Sequence, residues 1–162
     1  RQDEYCSFLL NPLIGMDVDD LDELVSEFIE THKEKLIDPM TFDLLERHIN
    51  EFKLVASGSL DFIVKGFTNY FKLDAYLGSS YEVIDNKITG KLKKAAFAHG
   101  KLEKVREWCQ KNSYIVEESF FYTDSINDLP LIKVCPRSII ISPDKKLEEY
   151  ALANKIEVLS RK

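Results

Sequence analysis

Three short stretches of this sequence combine residue types that can do chemistry. The first is residues 120–132, FFYTDSINDLPLI, where Asp124, Ser125, Asn127 and Asp128 sit between an aromatic and an aliphatic run. Two carboxylates four residues apart at the end of an apolar strand form a hard, oxygen-only site of the kind Mg2+ prefers. Asn127 and Ser125 are placed to orient those carboxylates or metal-bound water. The same residues also suit a helix start, where Asp and Ser are favoured caps. The second stretch is residues 54–59, LVASGS, with Ser57 and Gly58 directly after an apolar run. A hydroxyl followed by the free backbone N–H groups of a helix start makes a phosphate cradle, and the same letters also make a Ser/Gly turn. The third is Lys101 in HGKLEKVREW, at the start of a helix, where a cation gains nothing from the helix dipole. By itself it reads as a surface lysine.

The elements that must position these residues follow from periodicity. Residues 17–36 carry Leu21, Leu24, Val25, Phe28 and Ile29 at helical spacing, with acidic residues early and Lys33 and Lys35 late. Asp38-Pro39 reads as a cap and first position of a second helix running to about Phe52. A buried strand at 54–56 and a helix over 60–71 come next, then a hairpin over 81–92 turning at Asp85-Asn86-Lys87. A helix over 101–112 carries Leu102, Val105, Trp108 and Cys109. It is followed by a strand at 120–122, a short helix at 125–133, a strand at 138–141, a helix at 144–154 and a strand at 156–159. Strands alternating with helices of this length imply an α/β fold with a doubly wound, mostly parallel sheet. Such sheets hold ligands at the carboxyl ends of their strands, where Ser57 and Asp124 fall. Residues 1–52 are read as a helical cap segment and 53–162 as the α/β core with its small hairpin.

Bulk properties bound the function classes. The chain has 162 residues, 44% hydrophobic and 31% charged, enough to bury a core. A net charge of −6 argues against a broad nucleic-acid surface, and the basic run KITGKLKK (87–94) is flanked by acidic residues as a solvated hairpin face would be. Cys6, Cys109 and Cys135 have neither CxxC spacing nor a histidine at metal-finger distance; three unpatterned thiols fit a cytoplasmic setting. No run approaches a membrane span, and the first residues lack a signal-peptide pattern and an initiating Met. His32 and His48 read as surface positions, while His99 stands beside Lys101. The sequence does not fix an oligomeric state.

Taken in order, Leu54-Val55-Ala56-Ser57-Gly58, Gly100-Lys101 and Tyr122-Thr123-Asp124-Ser125-Ile126-Asn127-Asp128 resemble motifs two, three and four of the haloacid dehalogenase superfamily. The resemblance is to its phosphoserine-phosphatase-like branch (subfamily IB). DNKITGKL resembles that branch's short hairpin, and residues 138–159 its strand–helix–strand ending, so the likeness spans about residues 10–160. Lys101 is the match for the lysine motif, with Lys104 as the fallback. The superfamily's first motif, a strand ending in DxDx[TV], has a near match only in Asp17-Val18-Asp19, which follows Pro12 and Gly15 and leads into an acidic helix. Asp17 and Asp19 are therefore read as helix-start residues, and the chain is expected to lack the nucleophile strand.

The resemblance implies a Mg2+-dependent phosphatase acting on a small-molecule phosphate monoester through an aspartyl-phosphate. Carried across, Asp124 ligates the metal, and Asp128 and Asn127 hold the metal, its waters or the lysine. Ser57 and Gly58 bind phosphate oxygens, and Lys101 balances charge. Neither nucleic acid nor membrane is expected as a partner. Two other classes remain: a catalytically silent binding or scaffold protein that has lost motif one, and a receiver-like domain, which should carry its acidic pair after an early strand.

Overall fold

The computed structural model describes residues 2–161; Arg1 and Lys162 lie outside them. The chain divides into two compact units, residues 1–96 and 97–162.

In the first unit, helices α1 (Gln2–Leu10), α2 (Val18–Leu36) and α3 (Met40–Arg47) precede strand β1 (Leu54–Leu60), helix α4 (Asp61–Phe71) and a hairpin of β2 (Ala75–Ile84) and β3 (Lys87–Lys94). Helix α2 starts where Asp17 is extended, with Asp19 and Asp20 in its first turn and Lys33 and Lys35 in its last. Asp17 and Asp19 are tied to the hairpin: Lys87 Nζ donates to Asp17 at 3.0 Å and Asn86 Nδ2 to Asp19 at 2.9 Å. Leu21 and Ile29 of α2 are buried, whereas Leu24 and Phe28, expected on the same stripe, are half exposed. Leu21 shares a core with Cys6, Leu10, Leu60, Phe62 and Ile88. Helix α3 stops at Arg47, short of the expected Phe52. Lys53 Nζ donates to the carbonyls of Ile49 and Glu51, and with Ile49 and Phe52 exposed no apolar face rewards continuation.

Strand β1 is longer than the apolar run Leu54–Ala56 suggested. It pairs in parallel with β2, Leu54 opposite Ala75 through Ala56 opposite Leu77, and then skips to Leu60 opposite Ser79. Residues 57–59 thus stand opposite Gly78 alone, a bulge that lifts Ser57 and Gly58 out of the ladder. The first half of β2, AYLGSS, lies upstream of the expected hairpin; small residues hid it. Strands β2 and β3 are antiparallel, and Ile84 pairs with Lys87, so Lys87 belongs to the strand. The turn is Asp85-Asn86 alone, with φ of 50° and 63°, the left-handed pair a two-residue primed turn demands and Asn and Asp tolerate. β3 is the last strand of its sheet and shows Lys87, Lys91 and Lys93 to solvent.

The second unit comprises α5 (His99–Asn112), β4 (Phe120–Thr123), the short helix α6 (Leu129–Ile132) after a 3-10 turn at Ile126–Asp128, β5 (Arg137–Ile141), α7 (Lys145–Ala153) and β6 (Glu157–Leu159). Its three strands are all parallel, in the order β4-β5-β6. Asp144 caps α7, accepting from Leu147 N at 2.9 Å, and Ile132, Ile140, Leu147 and Ala151 form the core. The α/β class expected from alternation is the one found, with parallel neighbours joined through helices. The strands form two three-stranded sheets, and the one in the first unit gains an antiparallel member from the hairpin. No helix among the described residues is long and apolar enough to cross a membrane.

All three cysteines are free and buried. The Cys135 Sγ points to the Val116 carbonyl at 3.5 Å, and burial pushes its thiol up to about 11. The folded thiol thus holds its proton more tightly than the unfolded one. Its contribution to stability is complete below about pH 9 and is lost as pH rises toward 11. Urea midpoints at pH 8 and pH 10.5 should accordingly fall further for the native sequence than for Cys135→Ala. Gly78 gives a second expectation. A Cβ there would lie 2.8 Å from Asp61 Oδ1 and 2.9 Å from both the Asp61 Cα and the Ser59 carbonyl oxygen. Two of those three atoms are backbone, so Gly78→Ala should cost about 1–3 kcal/mol in denaturant unfolding.

Candidate active site

Chemistry-bearing residues of the second unit collect where β4 ends and α5 begins. Helix α5 buries one face, and its buried positions, Lys101, Val105 and Cys109, repeat every four residues. Lys101 therefore occupies a core position of the helix and is only 9% exposed. A buried ammonium needs a partner, and it has one: Nζ donates to Asp128 Oδ1 at 2.5 Å, with Asp128 6% exposed. The other carboxylate oxygen, Oδ2, accepts from Thr123 Oγ1 at 2.7 Å. Ala98, just before α5, has φ 47° and ψ −115°, a conformation normally left to glycine, and its carbonyl accepts from the Lys101 and Leu102 amides.

The turn that carries Asp128 inward is built by Ser125. Its N–H donates to Thr123 Oγ1 at 3.1 Å, its Oγ accepts from Asn127 N at 3.3 Å and its carbonyl accepts from Asp128 N at 3.0 Å. The cap reading of DSIND has a basis in the fold, since Ser125 caps a 3-10 turn. Asn127 is exposed. Asp124 points the other way: its side chain is 54% exposed, and Oδ2 accepts from the Arg161 guanidinium at 3.0 Å. Arg161 is anchored in turn, its backbone N–H donating to Ser142 Oγ at 2.7 Å beyond the end of β5.

The two carboxylates of the opening stretch therefore differ in kind. Asp128 has both oxygens engaged inside the protein, and Asp124 offers its carboxylate at the strand end. Mg2+ keeps several waters and uses one or two protein carboxylates, so a hard, half-exposed oxygen donor such as Asp124 fits it. Among the described residues, no three His, Cys, Asp or Glu side chains converge on one point, so further ligands would be water, phosphate oxygens or groups from elsewhere.

In the first unit, the β1 bulge holds the other predicted pair. Ser57 Oγ accepts from Ser59 N at 3.2 Å, and the Gly58 carbonyl accepts from buried Ser79 Oγ at 2.9 Å. Ser79 Oγ also accepts from Ala96 N at 3.0 Å, and Asp61 Oδ1 accepts from Gly78 N at 2.8 Å. The bulge is thus fixed from β2, immediately before the N-terminus of α4. Lys101, Asp128, Ser125 and Asn127 come together in one unit, Asp124 flanks them, and Ser57 and Gly58 belong to the other.

Sequence reasoning missed Thr123, Arg161 and Gly78. Thr123 had a signal, as the polar last residue of an apolar strand, and Lys101 sits in phase with the apolar stripe of its helix. Arg161, 37 residues from Asp124, had none.

The description "haloacid dehalogenase-like hydrolase" matches residues 1–133. The chain is 27% identical over 156 residues to a histidinol-phosphatase of Neisseria meningitidis serogroup C, covering 92% of this chain and 70% of that protein. Other curated relatives are longer, the chain spanning about half of their length. Among solved structures, a protein of unknown function from Bordetella pertussis Tohama I superposes with a TM-score of 0.88 at 23% identity, over 97% of this chain and 73% of that one. A phosphoserine phosphatase in apo form superposes with a TM-score of 0.64 at 17% identity, over 99% and 76%. Both share the fold.

The two ion pairs should separate in stability measurements. Lys101→Met leaves the Asp128 carboxylate buried without its countercharge and should cost about 3–5 kcal/mol in urea unfolding. Arg161→Ala breaks an exposed pair and should cost less than about 1 kcal/mol.

Proposed function

The chain belongs to the haloacid dehalogenase-like hydrolases, and from that premise we propose that the complete protein is a Mg2+-dependent phosphomonoesterase of the phosphoserine-phosphatase type, with its nucleophilic aspartate outside these 162 residues. The observation that carries the reading is the buried Lys101–Asp128 pair with Asp124 left outward beside it. A buried cation in the first turn of a helix, fixed by one carboxylate beyond the end of β4, suits a group that must meet an anion. An exposed carboxylate four residues away suits a metal.

In this reading the aspartate nucleophile attacks phosphorus, the ester P–O bond breaks and the leaving alcohol takes a proton. Water then cleaves the aspartyl-phosphate to inorganic phosphate and the free carboxylate. Mg2+ bound at Asp124 would neutralise phosphate charge. Ser57 Oγ and the Gly58 N–H bind phosphate oxygens, and the Lys101 ammonium balances the charge between phosphate and carboxylates. Asp128 holds the lysine through Oδ1 while Oδ2 accepts from Thr123, and Ser125 and Asn127 shape the turn. The helical residues 1–52 serve as cap, and residues 53–162 as core. β1 and β4 are each terminal in their sheets, which supports a place for one more parallel strand, the element that would carry the nucleophile. Asp17 and Asp19, engaged by Lys87 and Asn86, keep the role of helix-start residues.

The names of the relatives point to small phosphate monoesters as substrates, so the test uses the complete protein on an ester panel that includes histidinol phosphate and phosphoserine. Phosphate release should require Mg2+, stop with EDTA and return when Mg2+ is restored. Ser57→Ala should lower kcat by about 10²–10³-fold, as loss of a transition-state hydrogen-bond donor does. Asp124→Ala should lower it at least as far. Turnover by the 162-residue chain alone would overturn the placement of the nucleophile. A complete protein inert on every ester would favour the silent binding or scaffold protein.

A further inference from the structure

The proposed reaction needs the Lys101 ammonium at a fixed point, yet Lys101 has four rotatable side-chain bonds and its charge is held by a single carboxylate oxygen. What fixes that carboxylate is a residue so far without a role. We propose that Thr123 is a positioning residue for the phosphatase reaction: its hydroxyl locks Asp128, and through Asp128 it sets where Lys101 presents its charge. The inference rests on the reading of Lys101 as a phosphate-binding group.

Three observations carry it. Thr123 is the last residue of β4, 8% exposed, so its side chain stands on a rigid strand and not on the turn that follows. A hydroxyl has one proton, and the geometry says where it goes. Thr123 Oγ1 accepts from the Ser125 N–H at 3.1 Å, which leaves its own proton for Asp128 Oδ2 at 2.7 Å. The bond to Asp128 is therefore charge-assisted and directed. The Asp128 carboxylate is then held at both ends, Oδ2 by the strand and Oδ1 by Lys101, so it cannot rotate about its Cβ–Cγ bond without giving up one of them. Lys101 uses one of its three N–H bonds on Asp128, and the direction of the other two is set by that bond. Thr123 touches no reacting atom; it acts through Asp128.

A hydroxyl at position 123 is what the inference requires, whatever carries it. Thr123→Ser keeps the hydroxyl, and Thr123→Val keeps the shape without it. In the complete protein, both the KM for the best ester and the inhibition constant of inorganic phosphate should rise about tenfold in Thr123→Val, the change that goes with 1.4 kcal/mol of anion binding. Thr123→Ser should restore both to within about twofold. A residue that only stabilises the fold would reduce the active fraction and lower kcat, leaving KM and the phosphate constant where they were. Should Thr123→Val fail to fold, Thr123→Cys, close in volume with only a weak donor, is read in the same assay with the same expectation. Unchanged phosphate inhibition in the folded Val or Cys variant, or a Ser variant as impaired as Val, overturns the assignment of Thr123 while the phosphatase reading stands. Absence of hydrolysis by the native complete protein overturns both.

Discussion

Burying a lysine is the constraint around which the second unit is arranged. An ammonium taken out of water must meet a carboxylate, and that carboxylate must have its remaining lone pairs satisfied, or the charges cost more than the fold can offset. The phase of α5 puts Lys101 inward, in register with Val105 and Cys109. The 3-10 turn after β4 brings Asp128 back to meet it, and the last side chain of the strand satisfies the second oxygen. Each of these features would be a local oddity alone. Joined, they are one solution to one electrostatic problem, and they leave Asp124 outside it by default. Helix phase inward and strand end outward thus produce two unlike carboxylates from one pentapeptide.

The first unit solves a backbone problem. A hydroxyl and an amide cannot be offered to a ligand from within a regular ladder, because the ladder uses the amides. The bulge takes residues 57–59 out of register, and β2 holds the segment in place: Ser79 Oγ donates to the Gly58 carbonyl, and Gly78 N to the Asp61 carboxylate in the first turn of α4. Gly78 is glycine because Asp61 and the Ser59 carbonyl press on it.

Much of this was legible beforehand. The order of strands and helices follows from apolar spacing, and the candidate residues stand at strand ends and helix starts because Asp, Ser and Gly punctuate apolar runs there. What stayed hidden has physical reasons. The upstream half of β2 runs Ala75-Tyr76-Leu77 into Gly78 and Ser79, two positions buried without side-chain bulk, which cut the apolar signal short. The burial of Lys101 is a tertiary fact, visible only as a lysine in phase with an apolar stripe. The stop of α3 at Arg47 depends on a lysine six residues on that satisfies carbonyls beyond the helix. Arg161 meets Asp124 because three parallel strands end together, and no local pattern encodes that.

The hairpin that pins the start of α2 has an outer edge, and that edge is already occupied at its start: Gly15 N donates to the Ile88 carbonyl at 2.8 Å, Ile88 N to the Met16 carbonyl at 3.0 Å and Val18 N to the Asn86 carbonyl at 2.9 Å. β3 shows Lys87, Lys91 and Lys93 to water, two of them paired with acidic groups of their own unit. Backbone groups already paired with residues 15–18 offer no ladder to another strand. The sheet of the first unit is therefore asymmetric about its own plane of growth. On the hairpin side its edge is met by the chain's own residues 15–18, whereas the β1 side carries the plain aliphatic Leu54-Val55-Ala56.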